Sequence, residues 1–276
     1  MGASALRRVI DTSLAASRAV GAAPTWVLSN HDVVRHASRL ALPPGTDPNA
    51  WLRSGGTEPA LDPEIVQRRA RAAALLLLAM PGAAYLYQGE ELGLPEVGDL
   101  PHRVLQDPVR LRSRGARKGR DGCRVPIPWQ RSGPSLGFGS AEPWLPQPAD
   151  WPQRSMEAQS AAPDSVLSLY RAALDLRRRH GGDGDLTWLG PDSGSGVLAF
   201  RRDTGLVCIL NLGGKAVPVA TGEVLLASGP LEKDPSGRRA IPPDTAVWLL
   251  PESHRGDRPR AFHEVAAALP APAQAG

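Results

Sequence analysis

The hydrophobic period of this chain changes once, near Asp185, and that change limits the folds open to it. Before it, one grammar occurs twice: an amphipathic helix, a short apolar run of β-favouring residues, then a polar cluster. Residues Ser4–Val20 place Leu6, Val9, Ile10, Leu14 and Val20 near one helical face, and Gly21 punctuates. Thr25-Trp26-Val27-Leu28 follows and ends in Ser29-Asn30-His31-Asp32. From Pro63, Ile65, Val66, Ala70, Ala73, Ala74, Leu77 and Leu78 keep helical spacing until Pro81-Gly82. Ala84-Tyr85-Leu86-Tyr87 comes next and ends in Gln88-Gly89-Glu90-Glu91. Apolar runs this short read as strands buried on both faces. Helix and buried strand in alternation is α/β grammar, and such sheets hold ligands just past their strand C-termini.

Between the two patterns lie turn-rich stretches. Pro43–Gly56 reads as loop, and 93–163 is a long Pro/Gly/Trp-rich segment with little periodicity. Structureless loops of that length are functional or disordered. Trp129, Trp144 and Trp151 argue for order, because disordered segments are poor in aromatics. A further helix is expected from an N-cap at Asp164 to His180, closed by Gly181-Gly182. Past Asp185 the runs Val197–Arg201, Leu206–Asn211, Val217–Val219, Glu223–Ala227 and Thr245–Leu250 are short and separated by Gly, Asp and Pro, which predicts a small antiparallel β domain over 184–252. Residues 253–276 read as a disordered tail.

Composition narrows the classes. A hydrophobic fraction of 42% suffices for a sizeable core. The aliphatic run Ala72–Met80 is too short to span a bilayer, so no membrane partner is expected. No secretory signal is visible, and two distant cysteines, Cys123 and Cys208, exclude a disulfide scaffold; the expected compartment is the cytosol. The net charge of +4 comes mostly from scattered arginines. Their clusters, 110–124 and 177–179, are not interleaved with aromatics, so no nucleic-acid partner is expected.

Two motifs are decoys. Gly133-Pro134-Ser135-Leu136-Gly137 fits the nucleophile-elbow pattern but lacks a strand before it and a helix after it. Gly194-Ser195-Gly196 resembles a dinucleotide loop, yet a strand follows, so it reads as a hairpin turn. His31 and His36, five apart in an expected loop, have no third ligand nearby, so no zinc site is expected. Asn30-His31-Asp32 stands at a strand end, where Asp32 could cap a helix or meet a ligand.

Thr25–His36 resembles the segment around the seventh barrel strand of glycoside hydrolase family 13, the α-amylase family, in its bacterial α-glucosidase and oligo-1,6-glucosidase branch. Pro81–Gly93 is similar to that family's eighth strand and following turn, and Gly119–Trp129 to its R-x-P-x-x-W loop. Phe200-Arg201-Arg202 and Asp244–Leu249 fit the β-sandwich that follows the barrel. The resemblance implies α/β plus all-β architecture: residues 1–183 as the C-terminal part of a TIM (β/α)8 barrel, then the β-sandwich domain.

It also implies roles. Asp32 matches the transition-state-stabilising carboxylate that binds the 2- and 3-hydroxyls of the glucosyl unit, and His31 the imidazole on the same sugar. Hydrogen bonds to ring hydroxyls that strengthen in the transition state suit that chemistry. Arg35 and Arg124 fall at substrate-binding positions near the pocket mouth, although Arg124 could equally pair with Asp121 to hold its loop. Glu90 and Glu91 fall on a turn that the family uses for structure. The implied partners are α-glucosidic oligosaccharides, and the implied activity is retaining hydrolysis of terminal α-linked glucose, with no cofactor because carboxylates carry the chemistry. Transfer or sugar isomerisation on the same fold, and non-catalytic sugar binding, are the alternatives.

The family's nucleophile and acid/base precede the Asn-His-Asp segment, the nucleophile in a G-x-R-x-D motif. No such motif stands ahead of Asn30, where Asp11 is the only acid. A barrel takes about 250 residues, and two strand–helix units precede the β domain here. The chain is therefore expected to be inactive alone, and to misfold, associate or pair with the missing N-terminal half of the barrel.

Overall fold

A computed structural model describes residues 2–182, 184–190 and 196–251. The expected tail over 253–276, and Gly194 and Ser195 of the expected hairpin turn, lie outside the described residues. The chain divides into two compact units, neither continuous in sequence. The first comprises the described residues of Met1–Trp26, Arg71–Ala84 and Ala172–Gly276; the second, Val27–Ala70 and Tyr85–Arg171.

In the first unit, helix α1 (Ala3–Ala19) buries Ile10 and Leu14. Val9 and Val20 lie outside, so the buried stripe is narrower than its periodicity predicts. The β domain is antiparallel in every pairing given for it. Its larger sheet has the order Leu186–Leu189, Val197–Arg202, Val207–Asn211, Thr245–Leu250, Glu223–Ala227. Its smaller sheet has the order Val217–Pro218, Arg239–Ile241, Glu232–Lys233. Leu186–Leu189, Glu232–Lys233 and Arg239–Ile241 are strands that apolar alternation does not mark. Val197, Ala199, Val207, Ile209, Val247 and Leu249 from the larger sheet pack with Val217 and Ile241 from the smaller, which makes a sandwich. The central strands are buried on their other face as well, which explains their unbroken apolar runs.

The helix Pro63–Ala79 ends inside this unit, where its last carbonyls need partners. Side chains supply them. Trp248 donates to Leu75 O at 3.1 Å, Arg202 to Ala79 O at 2.9 Å, and Arg177 to Met80 O at 2.8 Å. Gly82 then turns the chain at φ +89°, and a Cβ there would stand 2.3 Å from Pro24 O. Only glycine permits that approach, which lets Ala83 N donate to Pro24 O at 2.8 Å.

Strands Thr25–Val27 and Ala83–Tyr85 pair as a sheet of two, so the described residues contain no closed barrel. The expectation that both strands are buried on both faces is corrected: Val27 is 46% exposed and Tyr85 53%. The apolar runs carry the strand propensity, but no layer covers them here.

In the second unit, two expected loops are partly helical. His36–Ala41 is a helix, and so is Pro48–Arg53, capped by Asp47, which accepts from Asn49 N at 3.0 Å and Ala50 N at 3.2 Å. The long segment 93–163 is ordered around Leu92, Leu94, Val97, Leu100, Val125, Ile127, Trp151 and Leu167. Of its three tryptophans only Trp151 is buried; Trp129 and Trp144 are exposed. The helix that follows is Val166–His180, and its cap is Ser165, not Asp164: Ser165 Oγ accepts from Ser168 N at 3.1 Å. Among the described residues no helix is long and apolar enough to cross a membrane.

Candidate functional site

Within the second unit, the polar cluster after Val27 folds into a turn that its own side chains build. Asn30 Oδ1 accepts from Asp32 N at 2.8 Å, an Asx turn that brings the backbone round and leaves the His31 and Asp32 side chains on the surface. Their Nε2 and Oδ2 lie 3.6 Å apart. Ser29 is buried and caps the next helix: its Oγ accepts from His36 N at 2.8 Å and lies 3.0 Å from His36 Nδ1. The helix start takes a second acceptor from afar, Glu96 Oε2 on Arg35 N at 2.9 Å.

Asp32 meets two guanidinium groups. Arg120 Nη1 donates to its Oδ1 at 2.5 Å, and Arg124 Nη2 approaches the same oxygen at 3.4 Å. Arg124 Nε also donates to His31 O at 2.9 Å, so one side chain ties both residues of the motif. Its carboxylate partner is thus Asp32, where the alternative reading of the sequence offered Asp121. Asp121 instead accepts from the backbone of Gln106 and Asp107, both at 3.1 Å.

Arg120 is in turn fixed from behind. Asp107 takes its Nε at 2.6 Å, its Nη2 at 3.1 Å and its backbone N at 2.7 Å. The Arg120 guanidinium holds the Asp107 carboxyl well below the usual carboxylate range, with backbone donors from Val109 and Arg120 adding to it. Asp107 thus stays ionised, and Arg120 stays charged opposite Asp32. Neither Arg120 nor Asp107 stands out in the sequence as a site residue. The usable signal was Arg120 and Arg124, two arginines four apart in one loop, in a chain whose Asp32 needed a counter-charge.

Arg35 occupies a different setting from the expected pocket mouth. It is 1% exposed, donates to Gln88 O at 2.7 Å and Cys123 O at 2.8 Å, and lies over the Tyr87 ring at 5.2 Å. It therefore ties the turn after the second strand to the loop before Val125. Beside it, His36 and Glu90 are buried with His36 Nδ1 3.9 Å from Glu90 Oε1. Burial pushes Glu90 up to about 7 and His36 down to about 3. Among the described residues no group of three His, Cys, Asp or Glu stands where it could hold a metal ion. In the elbow-like decoy, Ser135 is buried and its hydroxyl donates to Ala141 O.

Residues 1–182 match the family model described as the α-amylase catalytic domain. The chain belongs to the α-amylase family. A probable α-glucosidase of Rhizobium meliloti (strain 1021) is 36% identical over 196 residues, covering 69% of this chain and 31% of its own length. An oligo-1,6-glucosidase of Parageobacillus thermoglucosidasius is 29% identical over 55% of this chain and 27% of its own. The chain thus spans under a third of these α-amylase-family relatives. Among solved structures, an α-glucosyl transfer enzyme aligns with a TM-score of 0.66 at 29% identity, over 90% of this chain and 44% of its own. A trehalulose synthase aligns with a TM-score of 0.68 at 19% identity, over 90% of this chain and 47% of its own, which shows shared fold.

Proposed function

We propose that this chain carries the glucosyl-orienting part of a retaining α-glucosidase, acting on terminal α-linked glucose in oligosaccharides. The observation that supports this most is the Asp32 carboxylate, half-exposed at a strand end and aimed by Arg120 and Arg124 beside His31, in a chain of the α-amylase family. Asp32 would accept from two adjacent ring hydroxyls, His31 would bind the same sugar, and the fixed negative charge would favour an oxocarbenium-like transition state. Arg124 reaches the same corner through His31 O, whereas Arg35 supports it from within.

A retaining hydrolase also needs a nucleophile and an acid/base about 5–5.5 Å apart. On this reading both belong to the part of the family fold that the chain does not span, and this chain alone binds sugar without turnover. The barrel segments carrying those carboxyls, in a longer chain or as a partner, complete it. Transfer of the glucosyl unit to a sugar acceptor is the second reading, favoured by the likeness to an α-glucosyl transfer enzyme.

Maltose titration followed by NMR, beside an assay with p-nitrophenyl α-glucoside, tests the proposal. Saturable maltose binding that weakens about tenfold or more in Asp32→Asn, with no nitrophenol released, is the expected result. Absence of maltose binding overturns the sugar reading. Turnover that Asp32→Asn abolishes overturns the assignment of the missing carboxyls.

A further inference from the structure

Within the second unit, the short helix Pro108–Arg112 and the turn after it carry positive charge that their own segment does not answer. From 100 to 124 the acids are Asp107 and Asp121. Both are buried and engaged, Asp107 by Arg120 and Asp121 by the backbone of Gln106 and Asp107. Arg103, Arg112, Arg114 and Arg117 are exposed, and no ion pair among the described contacts involves any of them. Arg110 Nη2 lies 3.3 Å from His102 Nδ1, a neutral or cationic neighbour. The nearby exposed acid, Asp99, acts on Lys118.

Among these cations stands Leu111, 71% exposed. The turn that presents it is fixed by its own hydrogen bonds. Asp107 caps the helix, accepting from Val109 N at 2.9 Å. Ser113 Oγ donates to Arg110 O at 3.2 Å and accepts from Arg117 N at 3.0 Å, and Arg114 N donates to Leu111 O at 3.1 Å. From the neighbouring helix, Arg53 donates to Ala116 O at 3.1 Å. Trp144, 60% exposed, donates to Val104 O at 2.8 Å, two residues from the His102 that Arg110 meets. A large apolar side chain, an interfacial aromatic ring and several free guanidinium groups thus belong to one stretch of surface.

From this we infer that the loop docks the chain on an anionic lipid bilayer, with its arginines on headgroup phosphates and Leu111 in the acyl boundary. Guanidinium groups pair with phosphate in fork geometry, and basic residues beside Leu and Trp are the composition of a membrane-surface contact. Among the described residues no helix is suited to spanning, and docking of this kind needs none. Leu111 decides between polyanions. A rigid protein partner would need a pocket shaped for it, and a nucleic acid would meet it with phosphates, whereas acyl chains accept it in any orientation. The inference rests on neither Asp32 nor the sugar reading above.

Co-sedimentation of the full chain with vesicles tests it, using phosphatidylcholine alone and phosphatidylcholine with one-third phosphatidylglycerol. Binding to the anionic vesicles and not to the neutral ones is expected. It should weaken at least about tenfold between about 0.1 M and about 1 M salt, as the screening length falls from about 10 Å to about 3 Å. Arg112→Gln and Arg114→Gln should each weaken it about fivefold, and Leu111→Gln about fivefold or more. All three alter exposed side chains without a described bond, so circular dichroism should show the parent fold. No binding to the anionic vesicles, or equal binding to the neutral ones, overturns the proposal. Binding that Leu111→Gln leaves intact, or a single-stranded oligonucleotide held as tightly at equal salt, overturns the bilayer in favour of a general polyanion. A dimer seen by sedimentation velocity without vesicles, and dissolved by Leu111→Gln, overturns it in favour of a second copy of the chain.

Discussion

Arg120 bridges two carboxylates of different burial: its Nη1 lies 2.5 Å from Asp32 Oδ1, and its Nε 2.6 Å from Asp107 Oδ2. Asp107 is fully buried at its side chain and Asp32 is about half exposed, so the two pairs differ in strength although their lengths are alike. Solvent screens the outer pair, and removing the inner partner strands a charge. Double-mutant cycles in urea should give a coupling of about 0.2–1 kcal/mol between Asp32 and Arg120. The coupling between Asp107 and Arg120 should be at least about twice that. Equal couplings would mean that Arg120 is held by Asp32 rather than presented to it.

The order of the long segment 93–163 rests on Trp151, whose ring is buried among Leu92, Leu94, Val125 and Leu167. Trp151→Ala should destabilise the chain by about 3–5 kcal/mol and release hydrogen-exchange protection across the segment. Trp144→Ala is a useful contrast, since that ring is 60% exposed and held by one hydrogen bond to Val104 O; it should cost about 1 kcal/mol. A mild effect at Trp151 would mean that the segment is ordered by its turns and not by its core.

Gly82 is tested by one atom. Gly82→Ala adds a Cβ 2.3 Å from Pro24 O at a backbone conformation unfavourable to L side chains, so the turn into the second strand must shift. A loss of at least about 2 kcal/mol is expected, measured by thermal unfolding. Gly115→Ala, also at positive φ but with nothing within 4 Å, should cost only the strain of about 1 kcal/mol. Equal losses would remove the close approach as the cause.

What could be read from the residues alone follows physical range. Helices of three or more turns and the inner strands of the sandwich show because each repeats its period, as in Pro63–Ala79 and Val207–Asn211. His36–Ala41 and Pro48–Arg53 are too short to repeat one, although Asp47-Pro48 is a start signal. The β-strand Glu232–Lys233 is polar and pairs along one edge only. Asn30-His31-Asp32 is legible because a strand end concentrates its chemistry in consecutive residues. Its counter-charges are not, because Arg120 lies 88 positions away and local sequence does not encode that contact. The exposure of Val27 and Tyr85 was illegible for a related reason: an apolar run states a propensity and says nothing of what covers it.

The buried pair His36 and Glu90 makes stability depend on pH in a way that one substitution can isolate. Glu90 faces Ser29 and His36 on one side, and Arg39, Glu91 and Tyr170 act on the pair from neighbouring elements. Burial raises Glu90 from 4.5 to about 7, so between those values the folded chain holds a proton that the unfolded chain releases. Stability from this group is complete below 4.5 and is lost as the pH rises through about 7. The loss is of the order of 3 kcal/mol at full ionisation. Glu96, also raised to about 7, acts in the same direction. His36 acts in the other: lowered from 6.5 to about 3, it is neutral when folded and protonated when unfolded across that window, so its share of stability grows as the pH rises through it. Glu90→Gln removes the first contribution and leaves the other two. The stability of the variant relative to the parent, from urea unfolding, should therefore rise by roughly 2–3 kcal/mol between about pH 5 and about pH 8. A difference that stays flat over that range would mean that Glu90 is ionised throughout and that another group answers its charge.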